Sequence, residues 1–193
     1  MINCLPDLVY YIKADHKSMG LRVSLKSFAL DPVVRFTFAM RLYEYIINTQ
    51  KPAILLYPAK LWFRCLSLKL GFSLGPNVFG PGVAIVHHGL LIIDPTTRIG
   101  KNCRIHMGTH IGGAAIFVDA GLESEYSPRI GDNVYIGPGA KIYGPIRIGN
   151  NCVIGANAVV NKSFIEDGLT IAGVPAKKVN SGGAGERVIR GAD

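Results

Sequence analysis

Two adjacent histidines, His87 and His88, interrupt the apolar stretch IVHHGLLIIDP, which covers residues 85–95. An imidazole ring is costly to bury unless its nitrogens find partners, so a pair of rings in such a stretch indicates a specific use. Because histidine titrates near neutral pH, one ring can take a proton from a weak nucleophile such as a hydroxyl group. His106 and His110 follow, and three neutral imidazoles with one open position would suit catalytic zinc.

A six-residue repeat, which begins near Gly75, must position these histidines. It reads IGKNCR and IHMGTH, then IGDNVY, IGPGAK, IYGPIR, IGNNCV and IGANAV. A period of six fits neither a helix nor an alternating strand, but it fits a solenoid whose hexads each form a short strand and a corner. We expect the aliphatic residue of each hexad to point into a shared core. These residues are Ile99, Ile105, Ile111, Ile130, Ile136, Ile142, Ile148, Ile154 and Val160.

The repeat breaks between Ile111 and Ile130, whose spacing is not a multiple of six. A segment must therefore leave the coil, and we assign it to an extruded loop at residues 112–129. Loops carried by a rigid scaffold often hold binding residues. Cys103 and Cys152 share a hexad position with small residues, which predicts buried structural thiols rather than catalytic ones.

The N-terminal third has helical periodicity instead. Residues 31–48 begin with Asp31 at a plausible N-cap and Pro32 at the first helical position, and Val34, Phe38, Leu42 and Ile46 recur at helical spacing. Residues 52–72 are more apolar, but three basic residues and Pro58 interrupt them, so a transmembrane helix is not expected. A helix packed on the core is the favoured interpretation, and a helix at a membrane surface is the alternative.

Composition and charge limit the function classes. The chain has 193 residues, 49% of them hydrophobic, and a net charge of +8, which predicts a single folded domain with a substantial core. We divide it into a helical region at 1–72, a repeat domain at 73–180 and a flexible tail at 181–193. Four cysteines without zinc-ligand spacing predict reduced thiols and a cytoplasmic location. The basic excess lies in residues 1–72, and no nucleic-acid-binding signature accompanies it.

Three stretches carry a family resemblance: HHGLLIIDPTTRIGKNCRIHMGTHIGG, SPRIGDNVYIGPGAKIYG and AGVPAKKV. They resemble the hexapeptide-repeat acyltransferases, in particular the serine acetyltransferase-like branch and its relatives that acetylate surface polysaccharides. The resemblance implies an all-β solenoid, a left-handed parallel β-helix preceded by a short α-helical region. It also implies a homotrimer that uses acetyl-CoA as co-substrate.

The same resemblance implies roles for individual residues. In that branch a histidine shortly before an aliphatic triplet is the general base, and here His87 precedes Leu91, Ile92 and Ile93. The residues expected to bind the acceptor are His88, His110, Asp119, Glu123 and Ser127. The residues expected to contact the cofactor are Gly137, Pro138, Ala156, Asn161, Lys162 and Lys177. An acid that orients His87 would be Asp94, Asp119, Glu123 or Glu125, and we favour the acids of the loop. No metal is implied.

The acceptor expected from the sequence is a sugar hydroxyl in surface polysaccharide synthesis. Phe72 and Ser127 stand where serine acetyltransferases have an aspartate and a histidine that help to bind serine, which makes serine O-acetylation in cysteine biosynthesis the alternative. An enzyme of this kind would be cytoplasmic, with a peripheral location at the inner face of the membrane if its N-terminal region binds lipid. From another class, a zinc enzyme like the γ-type carbonic anhydrases or a non-catalytic scaffold remains open.

Overall fold

Four helices form the N-terminal part of the computed structural model, which describes residues 1–113 and 126–185. They are α1 (Leu5–Ser18), α2 (Leu25–Leu30), α3 (Pro32–Asn48) and α4 (Ala53–Leu70). The start of α3 is confirmed, because the Asp31 side chain accepts hydrogen bonds from the Val33 and Val34 backbone N–H groups. Helix α4 continues through Pro58. Its C-cap residue, Gly71, has a left-handed backbone conformation. None of the four helices in the described residues has the length and hydropathy of a membrane-spanning segment.

The buried face of α3 differs from the simple apolar pattern. Phe38 and Leu42 are only half-buried, whereas Arg41 and Glu44 are fully buried. Residues spaced four apart rotate gradually around a helix that has 3.6 residues per turn. The face of α3 that packs against the coil is therefore centred nearer Phe36 and Met40. Polar residues on that face can be buried because they hydrogen-bond to one another.

Fourteen short strands build a three-faced parallel coil in the described residues. The first face contains β1 (Phe72–Ser73), β3 (Leu91–Ile93), β6 (His110–Gly112), β9 (Lys141–Tyr143) and β12 (Val159–Val160). The second contains β4 (Arg98–Ile99), β7 (Arg129–Ile130) and β10 (Arg147–Ile148). The third contains β2 (Ala84–Ile85), β5 (Arg104–Ile105), β8 (Tyr135–Ile136), β11 (Val153–Ile154), β13 (Thr170–Ala172) and β14 (Lys177–Asn180). Only β14 is antiparallel to its neighbour in this part of the chain.

The interior of the coil is the stack of aliphatic residues that the repeat predicts. All nine hexad residues from Ile99 to Val160 are at most 5% exposed. They lie in register from coil to coil, as in the pairing of Ile105 with Ile136 and of Ile136 with Ile154. Full burial of one such side chain contributes about 1.5–3 kcal/mol, so the stack contributes substantially to the domain's stability.

The two cysteines of the repeat are buried, as the repeat predicts. Burial raises the pKa of the Cys103 thiol to about 12, and it also raises the pKa of Cys152. Neither thiol is therefore a reactive thiolate near neutral pH.

A buried ionic cluster joins the helices to the first coil. The Arg41 guanidinium donates to Asp15, to Glu44 and to the carbonyl oxygens of Phe79 and Gly80. Burial alone would lower the pKa of Arg41, but the two carboxylates raise it above its ordinary value, so the group stays charged. The Asp15 carboxylate also accepts bonds from the Gly82 and Val83 N–H groups. We call Asp15, Arg41 and Glu44 the Arg41 cluster.

Candidate functional site

His87 and His88 lie in the corner between β2 and β3, and both are exposed. Buried Ile85 and Ile93 flank this corner eight residues apart rather than six, so the corner carries two additional residues. The corner is solvent-accessible, since Leu90 is exposed as well as the two histidines. No residue in the two described segments forms a hydrogen bond with the His87 ring, which is free to meet a substrate.

The ring of His106 lies beside that of His87. The ring centroids are 6.3 Å apart, and the His106 ring also lies 5.0 Å from that of Tyr135. Its Nε2 is buried without a partner in the described residues. Burial lowers the pKa of His106, and the charges of Arg104 and His87 lower it further. A neutral imidazole beside His87 does not repel a proton that His87 accepts.

A cavity of about 550 Å³ opens beside His87, between the helices and the third face of the coil. We call it the His87 cavity. Most of its lining residues are apolar, among them Leu30 and Val33 from the helices, Leu21 from the segment between α1 and α2, and Ala84 and Ile85 from the coil. The ionisable groups on its wall are His87, His88, Asp31 and Arg104. Apolar walls with a few convergent polar groups are typical of small-molecule sites.

Four corners that join the third face to the first, followed by the turn between β13 and β14, form a column along the coil, which we call the histidine edge. It consists of residues 86–90, 106–109, 137–140, 155–158 and 173–176. Backbone bonds connect successive corners, from Gly108 N to Leu90 O, from Gly139 N to Met107 O and from Asn157 N to Pro138 O. A second cavity of about 380 Å³ lies on this edge, lined by Leu90, Met107, Gly108, Pro138, Gly139 and Asn157.

Four of the expected cofactor residues lie on or beside this edge. Pro138 and Ala156 are exposed on it, and Lys177 begins β14 directly after it. Gly137 is buried, and a Cβ there would lie 2.8–2.9 Å from the backbone of the next coil at Ile154, Gly155 and Ala156. Close coil stacking therefore explains why residue 137 is glycine.

The remaining expected cofactor residues lie elsewhere. Asn161 and Lys162 are exposed and follow β12, at the edge between the first and second faces. The Lys162 ammonium lies 5.4 Å from the centroid of the Phe164 ring. These two residues therefore lie on a different edge of the coil from the other four.

Ser127 and Asp94 also lie between the first and second faces, away from the histidine edge. Ser127 is buried, and its hydroxyl bonds to Thr96 and donates to Asp94 Oδ1 over 3.3 Å. Asp94 Oδ1 also accepts a bond from the Thr96 N–H group. These bonds order the corner from which the loop rejoins the coil, and in the described residues no hydrogen bond or ion pair joins Asp94 to His87.

His110 projects from the first face, and its Nδ1 lies 3.5 Å from the Tyr143 hydroxyl. Its Nε2 is buried and has no partner within the described segments. Burial lowers its pKa, and the Lys141 ammonium lowers it further. Asp119, Glu123 and Glu125 lie outside the described residues. Within the described residues, no three His, Cys, Asp or Glu side chains come close enough to hold a metal ion, so the zinc alternative finds no site there.

Phe72 is part of the core. It is 4% exposed, and its ring packs edge-on against Phe36 of α3, with centroids 4.8 Å apart. A carboxylate could not occupy this position without desolvation. The residue type at 72 therefore reflects how the helices pack on the first coil.

The sequence did not identify Arg104 or Asp31 as neighbours of His87, and it grouped His106 with His87 only in the zinc alternative. The only signal in the sequence is the spacing of eight between Ile85 and Ile93, which marks a widened corner. Arg104 immediately precedes the inward-facing Ile105, so its side chain must face outward. The contribution of α3 to the same cavity could not be read from the repeat.

Comparisons with known proteins show which families this chain is similar to. Residues 127–162 match the family model described as bacterial transferase hexapeptide (six repeats). A serine acetyltransferase of Mycobacterium tuberculosis is 36% identical over 110 residues, which is 56% of this chain and 45% of that protein. A serine acetyltransferase in complex with CoA has a TM-score of 0.71 at 25% identity, covering 91% of this chain and 71% of the other. The Neisseria gonorrhoeae serine acetyltransferase in complex with serine has a TM-score of 0.63 at 26% identity, covering 90% and 67%.

These findings correct the expected acceptor. The matched relatives and solved structures are serine acetyltransferases, so the assignment to surface polysaccharide synthesis is wrong. That assignment relied on Phe72 and Ser127, which are fixed by core packing and by the corner at the loop. The left-handed β-helix is confirmed by the solved structures. The chain spans about half the length of the curated relatives it matches. The chain carries the hexapeptide repeat of the bacterial transferases, and it is similar in sequence and in fold to serine acetyltransferases.

Proposed function

We propose that this protein transfers the acetyl group of acetyl-CoA to the hydroxyl group of serine, with His87 as the general base. The observation that carries this proposal is the position of His87 on the histidine edge. The corner at 86–90 contributes His87 to the wall of the His87 cavity and Leu90 to the wall of the second cavity, which also includes Pro138. An acceptor in the first cavity and a thioester along the second would meet at His87.

The proposed chemistry is a direct transfer. His87 takes the proton of the serine hydroxyl as the oxygen attacks the thioester carbonyl carbon. When the intermediate collapses, the carbon–sulfur bond breaks and His87 returns the proton to the departing thiolate. A neutral His106 nearby leaves His87 free to carry that proton. No covalent bond to the protein is formed, so the reaction needs no nucleophilic side chain.

The donor would lie along the histidine edge against the exposed Pro138 and Ala156. Lys177, which directly follows the last segment of the histidine edge, offers a cation for a phosphate group. Asn161 and Lys162 would come from a neighbouring subunit, which is consistent with a homotrimer. A closed ring of three chains, with the same two patches in contact at each interface, would place one donor groove between each pair of subunits.

The test is CoA release from acetyl-CoA by the purified protein in the presence of L-serine, with the product identified by mass spectrometry. We expect serine-dependent release and formation of O-acetylserine. D-serine and L-alanine serve as controls, because L-alanine lacks the hydroxyl group. Release that is independent of serine, or no release at saturating serine, would contradict the proposal.

We also propose that the outer face of α4 places the protein at a membrane surface. The buried residues of α4 are Ala59, Phe63, Ser67 and Leu70. At 100° per residue, the opposite side carries Ile54, Tyr57, Leu61 and Leu68, which are 63–79% exposed. Lys60, Arg64 and Lys69 flank this apolar stripe, and α4 contains no acidic residue.

An apolar stripe with basic flanks suits an anionic lipid surface. The expected result is sedimentation with vesicles containing phosphatidylglycerol but not with pure phosphatidylcholine vesicles. Leu61→Glu should abolish sedimentation, whereas Ile165→Glu, at an exposed apolar residue of the coil, should not. Vesicle-independent association of two protein copies through the stripe, removed by Leu61→Glu, would contradict the lipid assignment.

A further inference from the structure

The His87 cavity carries two opposite charges that do not neutralise each other. Arg104 and Asp31 both line it, yet no ion pair within 4.0 Å joins them, although such pairs are found at Arg41 and Lys178. A guanidinium and a carboxylate held apart across one cavity leave room for a ligand that bears both charges.

Arg104 supplies the positive charge of the cavity. It lies in β5 with its side chain outward, it is half-buried, and its guanidinium has no hydrogen-bond partner in residues 1–113 and 126–185. Arg98, at the matching strand position on the second face, instead donates to the carbonyl oxygens of Pro95 and Thr97. A planar guanidinium free to donate two parallel bonds is well suited to a carboxylate.

Asp31 supplies the opposite charge at the helical side of the cavity. Both of its backbone acceptor bonds, from Val33 and Val34, go to Oδ1. Oδ2 accepts no bond from any group in the described residues and is therefore available to a ligand. The helix cap holds the carboxylate in place, so it needs no rearrangement to bind an ammonium group.

We propose that Arg104 and Asp31 recognise the acceptor as an amino acid. Arg104 binds the α-carboxylate, Asp31 Oδ2 binds the α-ammonium group, and the hydroxyl group is presented to His87. This inference rests on the proposed function and names the residues that select its acceptor. It also explains how serine can be bound although residue 72 is a core phenylalanine and Ser127 lies on another edge.

The experiment compares Arg104→Gln with wild type in steady-state kinetics. Loss of a charge-assisted pair is expected to raise the KM for serine about 10- to 100-fold, with kcat and the KM for acetyl-CoA nearly unchanged. Arg147→Gln is the matched control, because Arg147 opens β10 at the equivalent strand position on the second face. Asp31→Asn should also raise the KM for serine, and because asparagine is a good N-cap it should leave the helix intact.

A truncated acceptor isolates each contact. Ethanolamine has the hydroxyl and ammonium groups of serine but lacks the carboxylate, so Arg104→Gln should leave its KM unchanged. The analogue 3-hydroxypropionate lacks the ammonium group, so Asp31→Asn should leave its KM unchanged. A purely structural effect of either substitution would raise the KM for all three acceptors alike.

The outcomes separate this inference from the proposed function. If wild type acetylates serine and Arg104→Gln keeps the wild-type KM, the inference is overturned and the proposed function stands. If wild type acetylates no serine, the proposed function fails, and calorimetric titration of serine into both proteins decides the inference. Binding that is lost in Arg104→Gln would support the site, whereas equal binding or no binding would overturn it.

Discussion

Replacement of Asp15 by alanine should destabilise the fold severely, because Asp15 is the central acceptor of the Arg41 cluster. Its carboxylate accepts from Arg41 Nε at 2.8 Å and Nη2 at 3.2 Å. It also accepts from the backbone N–H groups of Gly82 and Val83 at 2.8 and 2.9 Å. In Asp15→Ala, the fully buried Arg41 guanidinium would keep only the Glu44 carboxylate as an ionic partner. The Gly82 and Val83 N–H groups would lose their acceptor.

The expected cost follows from this burial. Removing one partner of a buried ion pair costs about 3–5 kcal/mol, because the remaining charge stays desolvated. Asp15→Asn should cost less than Asp15→Ala, since the amide oxygen can still accept bonds from the Gly82 and Val83 N–H groups. The pair between Lys178 and Glu166 is the matched control, because its side chains are 43% and 62% exposed. Glu166→Ala should cost less than about 1 kcal/mol.

The assay is urea unfolding followed by far-ultraviolet circular dichroism at one fixed protein concentration. The free energy of unfolding should fall in the order wild type, Glu166→Ala, Asp15→Asn and Asp15→Ala. If Asp15→Ala does not fold, the comparison of Asp15→Asn with Glu166→Ala still tests the ranking. A loss for Asp15→Ala no larger than that for Glu166→Ala would refute the view that the cluster holds the helices on the first coil.

Three further predictions concern the coil and its histidines. Gly137→Ala should destabilise the protein by about 1–3 kcal/mol in the same assay, because the new Cβ would meet the backbone of the next coil; an unchanged midpoint would contradict this. In a thiol titration at pH 8, Cys4 and Cys65 should react in the native protein, and the buried Cys103 and Cys152 only after urea is added. Because the folded-state pKa of His106 is lowered, stability should fall as the pH drops below about 6.5, and His106→Gln should flatten that dependence.

The coil could be predicted from the sequence because its cause is local and repeated. Each hexad places one aliphatic residue inward, and Ile105, Ile136 and Ile154 are buried and stacked as that period requires. The start of α3 could equally be predicted, since the N-cap Asp31 and the first helical residue Pro32 are adjacent in the sequence. Local rules of this kind do not depend on where distant parts of the chain meet.

Contacts between distant segments could not be predicted. Arg41 and Glu44 appear on the polar side of α3 in the sequence, and only their meeting with Asp15 and the first coil explains their burial. Asp31 and Arg104 likewise share a cavity because α3 packs beside the third face. The acceptor was misassigned for the same reason, since Phe72 was interpreted as the loss of a serine-binding aspartate, whereas it packs against Phe36 in the core.

The most direct test of the central claim compares His87→Ala with His88→Ala in the serine-dependent release of CoA. The two residues are adjacent, exposed and in the same widened corner, so the variants disturb the fold to a similar extent. If His87 is the general base, kcat/KM for serine should fall about 10²- to 10⁴-fold in His87→Ala and far less in His88→Ala. Equal losses in the two variants, or full activity without the His87 ring, would contradict the account.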